Sequence, residues 1–156
     1  MISNESLSQD LLKSLPRDQI KKVMIDQDCD IDGEFLGFLS IYKSLSEIIP
    51  EHFTMVDIGC AYNPQCYYFQ KHKRYIAVDN HKKEIFKTDN VEHFTCGVSR
   101  FIDYFVPILN LNMKETFAIM NYVPLSDNHK AKVRRTFENI YCYYPHSDNV
   151  ILIPRV

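Results

Sequence analysis

The run Val56-Asp57-Ile58-Gly59-Cys60-Ala61-Tyr62-Asn63-Pro64-Gln65 constrains this chain more than any other stretch. An apolar strand over residues 53–58 ends in an acidic residue and a glycine-containing turn, and a helix start follows. Asn63 is placed to N-cap that helix, and Pro64 suits its first position, where no amide hydrogen is needed. Free backbone amides converge at such a strand–turn–helix junction and suit a small polar ligand. A second strand, residues 74–79, also ends in an acid. Asp79 stands 20 residues after Gly59, the spacing of a carboxylate that holds ribose hydroxyls in a βαβ nucleotide site. Singly, each acid reads as an ordinary strand end; in this order they read as a nucleoside-cofactor site.

The turn itself selects among cofactors. A dinucleotide site uses G-x-G-x-x-G, whose second glycine admits a pyrophosphate and whose third packs helix on strand. Gly59, Ala61 and Pro64 occupy those places here, so a methyl group meets the pyrophosphate and one amide donor is missing. The phosphate-cradling G-x-x-x-x-G-K-[ST] loop is absent. S-adenosylmethionine carries no phosphate and tolerates a turn with less glycine. Its ammonium group calls for a carboxylate, its carboxylate for amides, and its ribose for a second acid.

These residues resemble the class I (Rossmann-like) S-adenosylmethionine-dependent methyltransferases. Val56-Asp57-Ile58-Gly59-Cys60-Ala61 resembles their first motif, [DE]-x-G-x-G-x-G, and Tyr75-Ile76-Ala77-Val78-Asp79 resembles their second. The resemblance covers roughly residues 53–154 and departs at Ala61 and Asn63, where glycines are usual. It implies that Asp57 and the Gly59–Asn63 turn, including Cys60 and Ala61, surround the methionyl end of the cofactor while Asp79 takes the ribose. Cys96–Ser99 or Asn80 would meet the adenine, and Tyr122 would wall the pocket. It also implies a sheet of seven strands in the order 3-2-1-4-5-7-6. Asn121-Tyr122-Val123-Pro124 is loosely similar to the [DNS]-P-P-[YF] motif of amino-group methyltransferases, lacking its first proline. Asn121 would there accept a hydrogen of the substrate amine and is the one weak catalytic candidate; a strand end turned by Pro124 is the plainer reading.

The rest of the chain reads as an α/β domain. Residues 34–49 place Phe35, Phe38, Leu39, Tyr42, Leu45 and Ile49 on one helical face, with Asp32 as cap and Pro50 as stop. Two weaker helical segments precede it, near Leu7–Leu15 and Arg17–Met24, making residues 1–50 a helical N-terminal segment. Strands are expected at 91–96, 116–122 and 149–153, with helices from Ser99, bent at Pro107, and over 126–142. The alternation predicts one domain over 1–156, with a mainly parallel Rossmann-like sheet of about five strands over 51–156, shorter than the seven-strand sheet. A fifth strand at Val150–Ile153 would leave an apolar edge, to be covered by the N-terminal segment or by a partner chain such as a second copy in a homodimer, unless the natural protein is longer.

Composition narrows the setting. Hydrophobic content of 46% with 24% charged residues is that of a globular protein, and no apolar run approaches the roughly 18 residues needed to span a membrane. Five cysteines without C-x-x-C pairs indicate neither a disulfide frame nor a zinc site; with no secretory pattern at Met1–Glu5, a reducing cytoplasm is expected. Cys60 and Cys66 read as small packing groups rather than nucleophiles. Asp28, Asp30, Asp32 and Gly33 match the start of a calcium loop, but Leu39 stands where its bidentate glutamate belongs, so no metal is expected. A net charge of −2 gives no general pull toward nucleic acid. The basic clusters at 71–74, 81–83 and 129–135 read first as solvated surface; a nucleic-acid groove would need them on one face.

Overall fold

The computed structural model describes residues 33–61, 63–80, 86–121 and 125–143. Within them, helix α1 (Gly33–Ile48) precedes strand β1 (Thr54–Ile58), a 3-10 helix (Pro64–Phe69), and strands β2 (Arg74–Asp79) and β3 (Val91–Thr95). Helix α2 (98–109), strand β4 (Thr116–Asn121), helix α3 (Asp127–Thr136) and strand β5 (Asn139–Tyr143) follow. All five strands join one parallel sheet in the order β3-β2-β1-β4-β5. This is a Rossmann-like α/β fold, and the described residues carry five of the seven strands that the resemblance implied.

Strand β1 sits at the middle of the sheet, and all five of its residues are buried. A strand with neighbours on both edges and layers on both faces must be nearly all apolar. Asp57 is the one charged residue in β1, and the candidate site is built around it. Alternation along the strands sends Met55, Asp57, Tyr75 and Ala77 to one face and Val56, Ile58, Ile76 and Val78 to the other. The first face packs on Tyr42, Leu45 and Ile49, the buried stripe of α1 and its C-terminal flank, and on Phe69 of the 3-10 helix. The second packs on Phe101 and Ile102 of α2 and Val133 of α3. Strand order reverses between β3 and β4, which returns to the other side of β1 in the same parallel direction. This places a crevice outside the carboxyl ends of β1 and β4, where open α/β sheets take their ligands.

Several expectations are corrected. Asn63 does not cap the following helix with its side chain, and that helix is a short 3-10 turn. Ser99 lies inside α2, whose N-cap is Gly97. Helix α2 widens into a π turn over Phe101–Phe105, with the Val106 amide bonded to the Phe101 carbonyl, just before Pro107. Proline has no amide to continue the ordinary ladder, and the wide turn absorbs that loss without breaking the helix. The helix expected over 126–142 ends at Thr136; Ser126 does cap it, its Oγ accepting from the His129 amide at 3.2 Å. Its last residues instead form β5, with Ile140 and Cys142 packed on the second face and Tyr141 on the first. A strand at 149–153, and the homodimer through it, lie outside the described residues, as do the helical segments before residue 33 and the acidic loop at 28–32.

The sheet edge at β3 is tied to α2 by one arginine. Arg74 Nε and Nη2 reach both carboxylate oxygens of Glu92 at 2.7 and 3.0 Å, and its Nη1 donates to the Leu109 carbonyl at 3.1 Å. Among the described residues no helix is long and apolar enough to cross a membrane. Phe69 is fully buried against Tyr42, His72 and Tyr75. Phe69→Ala should therefore lower unfolding free energy by about 3–5 kcal/mol in urea titrations; a loss below about 1 kcal/mol would contradict this packing.

Candidate functional site

The turn after β1 has an unusual backbone. Gly59 has φ 80°, Ala61 φ 52° and Asn63 φ 65°, so every second residue is left-handed. That region suits glycine, is tolerated by asparagine, and costs other L-residues roughly 1–2 kcal/mol. Ala61 and Asn63 stand where a glycine-rich turn has glycines. The chain keeps the glycine shape without the glycines.

Internal hydrogen bonds hold that shape. The amides of Gly59 and Cys60 both donate to the Val78 carbonyl of β2, at 2.7 and 3.1 Å. The Ala61 amide donates to Asp79 Oδ2 at 2.9 Å, and the Asn63 amide to the Cys60 carbonyl at 3.0 Å. The expectation of free amides is therefore corrected for these four residues. Asp79 and Ala61 nonetheless meet at the mouth of the turn, Asp79 partly exposed and Ala61 exposed. Asn63 is buried; its Nδ2 donates to the Phe86 carbonyl at 3.3 Å, and its Oδ1 meets no donor among the described residues.

Beneath the turn lies Asp57, fully enclosed. Tyr42 of α1 donates to its Oδ1 at 2.7 Å, while Tyr75 of β2 and Gln65 of the 3-10 helix donate to its Oδ2 at 2.5 and 2.8 Å. The same Gln65 Nε2 also donates to the Cys60 carbonyl at 2.9 Å. Burial pushes the Asp57 carboxyl from 3.8 up to about 6; the donors from Tyr75, Gln65 and Tyr42 oppose that rise, and nearby Asp79 adds to it. Desolvation first, and the Asp57 charge second, raise Tyr42 and Tyr75 well above their usual value, so both remain donors. Asp57 thus lies behind the turn rather than at its open side.

The thiols are inert here. Burial raises Cys60, and it pushes Cys66 up to about 12, so neither is a thiolate near neutral pH. Asn80 is exposed just past β2, and Cys96–Ser99 follow β3 at the same edge of the sheet. Asn121 ends β4, two residues beyond the pairing of Asp57 with Ile119, so its backbone borders the crevice. Tyr122 and the rest of its motif lie outside the described residues. No group of three potential metal ligands occurs among the described residues.

Sequence reading missed Tyr42, Gln65 and Tyr75. Tyr42 and Tyr75 carry the apolar periods of a helix and a strand, and nothing local shows that their hydroxyls meet one carboxylate. Two of the basic clusters are divided between layers: Lys71–Lys73 join the 3-10 helix to β2, whereas 129–135 lie in α3 on the opposite face, and the cluster at 81–83 lies outside the described residues. Arg74 is paired with Glu92, and Lys132 with Asp103 at 2.7 Å.

Comparison with known proteins adds one likeness. No family model and no curated protein matches this chain. Among solved structures, a proposed type II methyltransferase from Anaeromyxobacter dehalogenans is similar over 64% of this chain, with a TM-score of 0.45 and 16% identity. The chain spans 42% of the length of that structure.

Two outcomes follow from this geometry. Between about pH 4 and 6 the folded protein keeps a proton on Asp57 that the unfolded chain has released, so stability falls as pH rises through that window. The difference between 3.8 and about 6 corresponds to about 3 kcal/mol. Urea unfolding of the wild type and Asp57→Asn at pH 4 and pH 7 should show the wild type losing about that much relative to the variant. An unchanged gap would refute it. Separately, Ala61→Gly should raise stability by about 0.5–1 kcal/mol through relief of the left-handed backbone, less the entropy glycine adds to the unfolded chain; a destabilised variant would show that the methyl group matters more than the backbone.

Proposed function

We propose that the turn at Gly59–Asn63 binds S-adenosylmethionine, and that the protein is a methyltransferase acting on an acceptor not yet identified. The observation that carries this reading is the left-handed backbone at 59, 61 and 63 above Asp79, at the crevice where the sheet reverses. Strain kept at a position that could have been glycine points to a shape that is used. Charge supports the same ligand class. The turn brings Asp79 close enough to Asp57 to raise its carboxyl, and this pair of acids repels a pyrophosphate and favours a sulfonium and an ammonium group.

In this reading Asp79 accepts the ribose hydroxyls, exchanging its bond to the Ala61 amide for them. The backbone of Gly59–Asn63 lines the methionyl end, Asp57 acts from behind through its charge and Gln65, and Asn80 or Cys96–Ser99 take the adenine edge. The cofactor supplies an electrophilic methyl on sulfur, transferred in line to the acceptor. Most of the protein's work is then alignment. Asn121, which ends β4, borders the place where the acceptor would lie and takes a hydrogen bond from it, and Tyr122 follows it in sequence.

A second reading is favoured by one specific observation. The amides of residues 59–61 are already bonded within the protein, as a fold kept as a binding or assembly module would leave them. Calorimetric titration with S-adenosylmethionine and S-adenosylhomocysteine separates the two. The methyltransferase reading expects micromolar binding, weakened at least about tenfold by Asp79→Ala, since a charged hydrogen bond of about 1.5–3 kcal/mol is lost. Absence of binding by the folded wild type would leave the module.

A further inference from the structure

We propose that Tyr42 and Gln65 are positioning residues for the Gly59–Ala61 turn, acting on it through the buried carboxylate of Asp57. This rests on the reading of the turn as a ligand loop and names what holds the loop in shape. The connection is continuous. Helix α1 supplies the Tyr42 hydroxyl to Asp57 Oδ1, Asp57 Oδ2 accepts Gln65 Nε2, and the same Nε2 grips the Cys60 carbonyl. Gln65 faces two acceptors, so only its NH2 end fits, and its Oε1 meets no donor among the described residues. The amide's orientation is therefore dictated by the Asp57 carboxylate rather than by any partner of its own oxygen. Cys60 is in turn held at both ends, its amide by the Val78 carbonyl and its own carbonyl by Gln65.

This arrangement makes the turn sensitive to two distant events. Undocking of α1 removes one of the three donors around Asp57. Protonation of Asp57 replaces an acceptor with a donor among groups that already donate to it, so hydroxyls or the Gln65 amide must turn away. The groups facing Asp57 from each element are Tyr42 of α1, Tyr75 and Asp79 of β2, and Cys60 and Gln65 of the turn and 3-10 helix. From β4 its register partner is the apolar Ile119. Tyr42, Tyr75 and Cys60 keep their protons across the neutral range, so along the path through Gln65 to the Cys60 carbonyl the Asp57 carboxylate is the group whose change is passed on.

The test is the pH dependence of the backbone amide resonances of Gly59, Cys60 and Ala61 in the full chain, read by nitrogen-15 NMR, beside titration with S-adenosylhomocysteine. In the wild type these amides should move together with a midpoint near about 6. Asp57→Asn should abolish the transition. Tyr42→Phe, which keeps the packing ring, should raise the midpoint, because a donor favouring the charged form is lost, and should weaken S-adenosylhomocysteine binding about tenfold. Gln65→Met carries the same test should Tyr42→Phe not fold: the Ala61 resonance should then stop following Asp57. Turn amides that ignore pH, or that titrate identically in Tyr42→Phe, would overturn the proposal. If the amides respond as stated while the wild type binds no S-adenosylhomocysteine, the positioning role stands and the methyltransferase reading fails.

Discussion

A carboxylate at the centre of an apolar sheet face is the constraint on which this structure turns. Asp57 lies in the middle strand, where every neighbour is buried, and an isolated ionised group there would be very costly. Three donors from three separate elements offset that cost: Tyr42 from α1, Tyr75 from β2 and Gln65 from the 3-10 helix. Phenylalanine at 42 or 75 would fill the same space and leave the acid short of a partner. The hydroxyls explain why two tyrosines are fully buried in this core. The same acid fixes the layer order. Helix α1 and the 3-10 helix must both lie on its face of the sheet, close enough to bond it.

The turn above Asp57 inherits its geometry from that network and from β2. Val78 holds two of its amides, Asp79 a third, and Gln65 its Cys60 carbonyl from below. A left-handed Ala61 persists because these bonds over-determine it. In the proposed reading, two carboxylates, one sealed and one at the mouth, favour a cationic ligand over a phosphate. The bond between Ala61 and Asp79 is the one a ribose would have to replace. It is also what a fold without a ligand would keep, together with the bonds of the Gly59 and Cys60 amides to Val78.

Much of the fold was legible in sequence because parallel strands announce themselves. Residues 54–58, 74–79 and 116–121 are short, largely apolar runs bounded by polar turns, 91–95 is a more polar edge strand, and α1 shows a clear helical face. Strand β5 was hidden because 139–143 follows α3 without glycine or proline, and its apolar residues extend a helical count as easily as an alternating one. The π turn before Pro107 has no signal of its own. At the site, Asp57, Gly59 and Asp79 could be read from order and spacing, whereas the partners of Asp57 could not. Burial and long-range pairing decide what a tyrosine hydroxyl or a glutamine amide does, and Tyr42 lies 15 residues from the acid it serves. Asn63 misled for a related reason: beside Pro64 it looks like a cap, yet its left-handed backbone turns the side chain inward to Phe86.

The most direct test of the account is a crystal structure of the protein grown with S-adenosylhomocysteine. The account predicts ribose hydroxyls within hydrogen-bond distance of Asp79, a left-handed backbone retained at 59, 61 and 63, and Asp57 still enclosed by Tyr42, Tyr75 and Gln65. An empty crevice with the Ala61–Asp79 bond intact, or a ligand held elsewhere on the sheet, would contradict it.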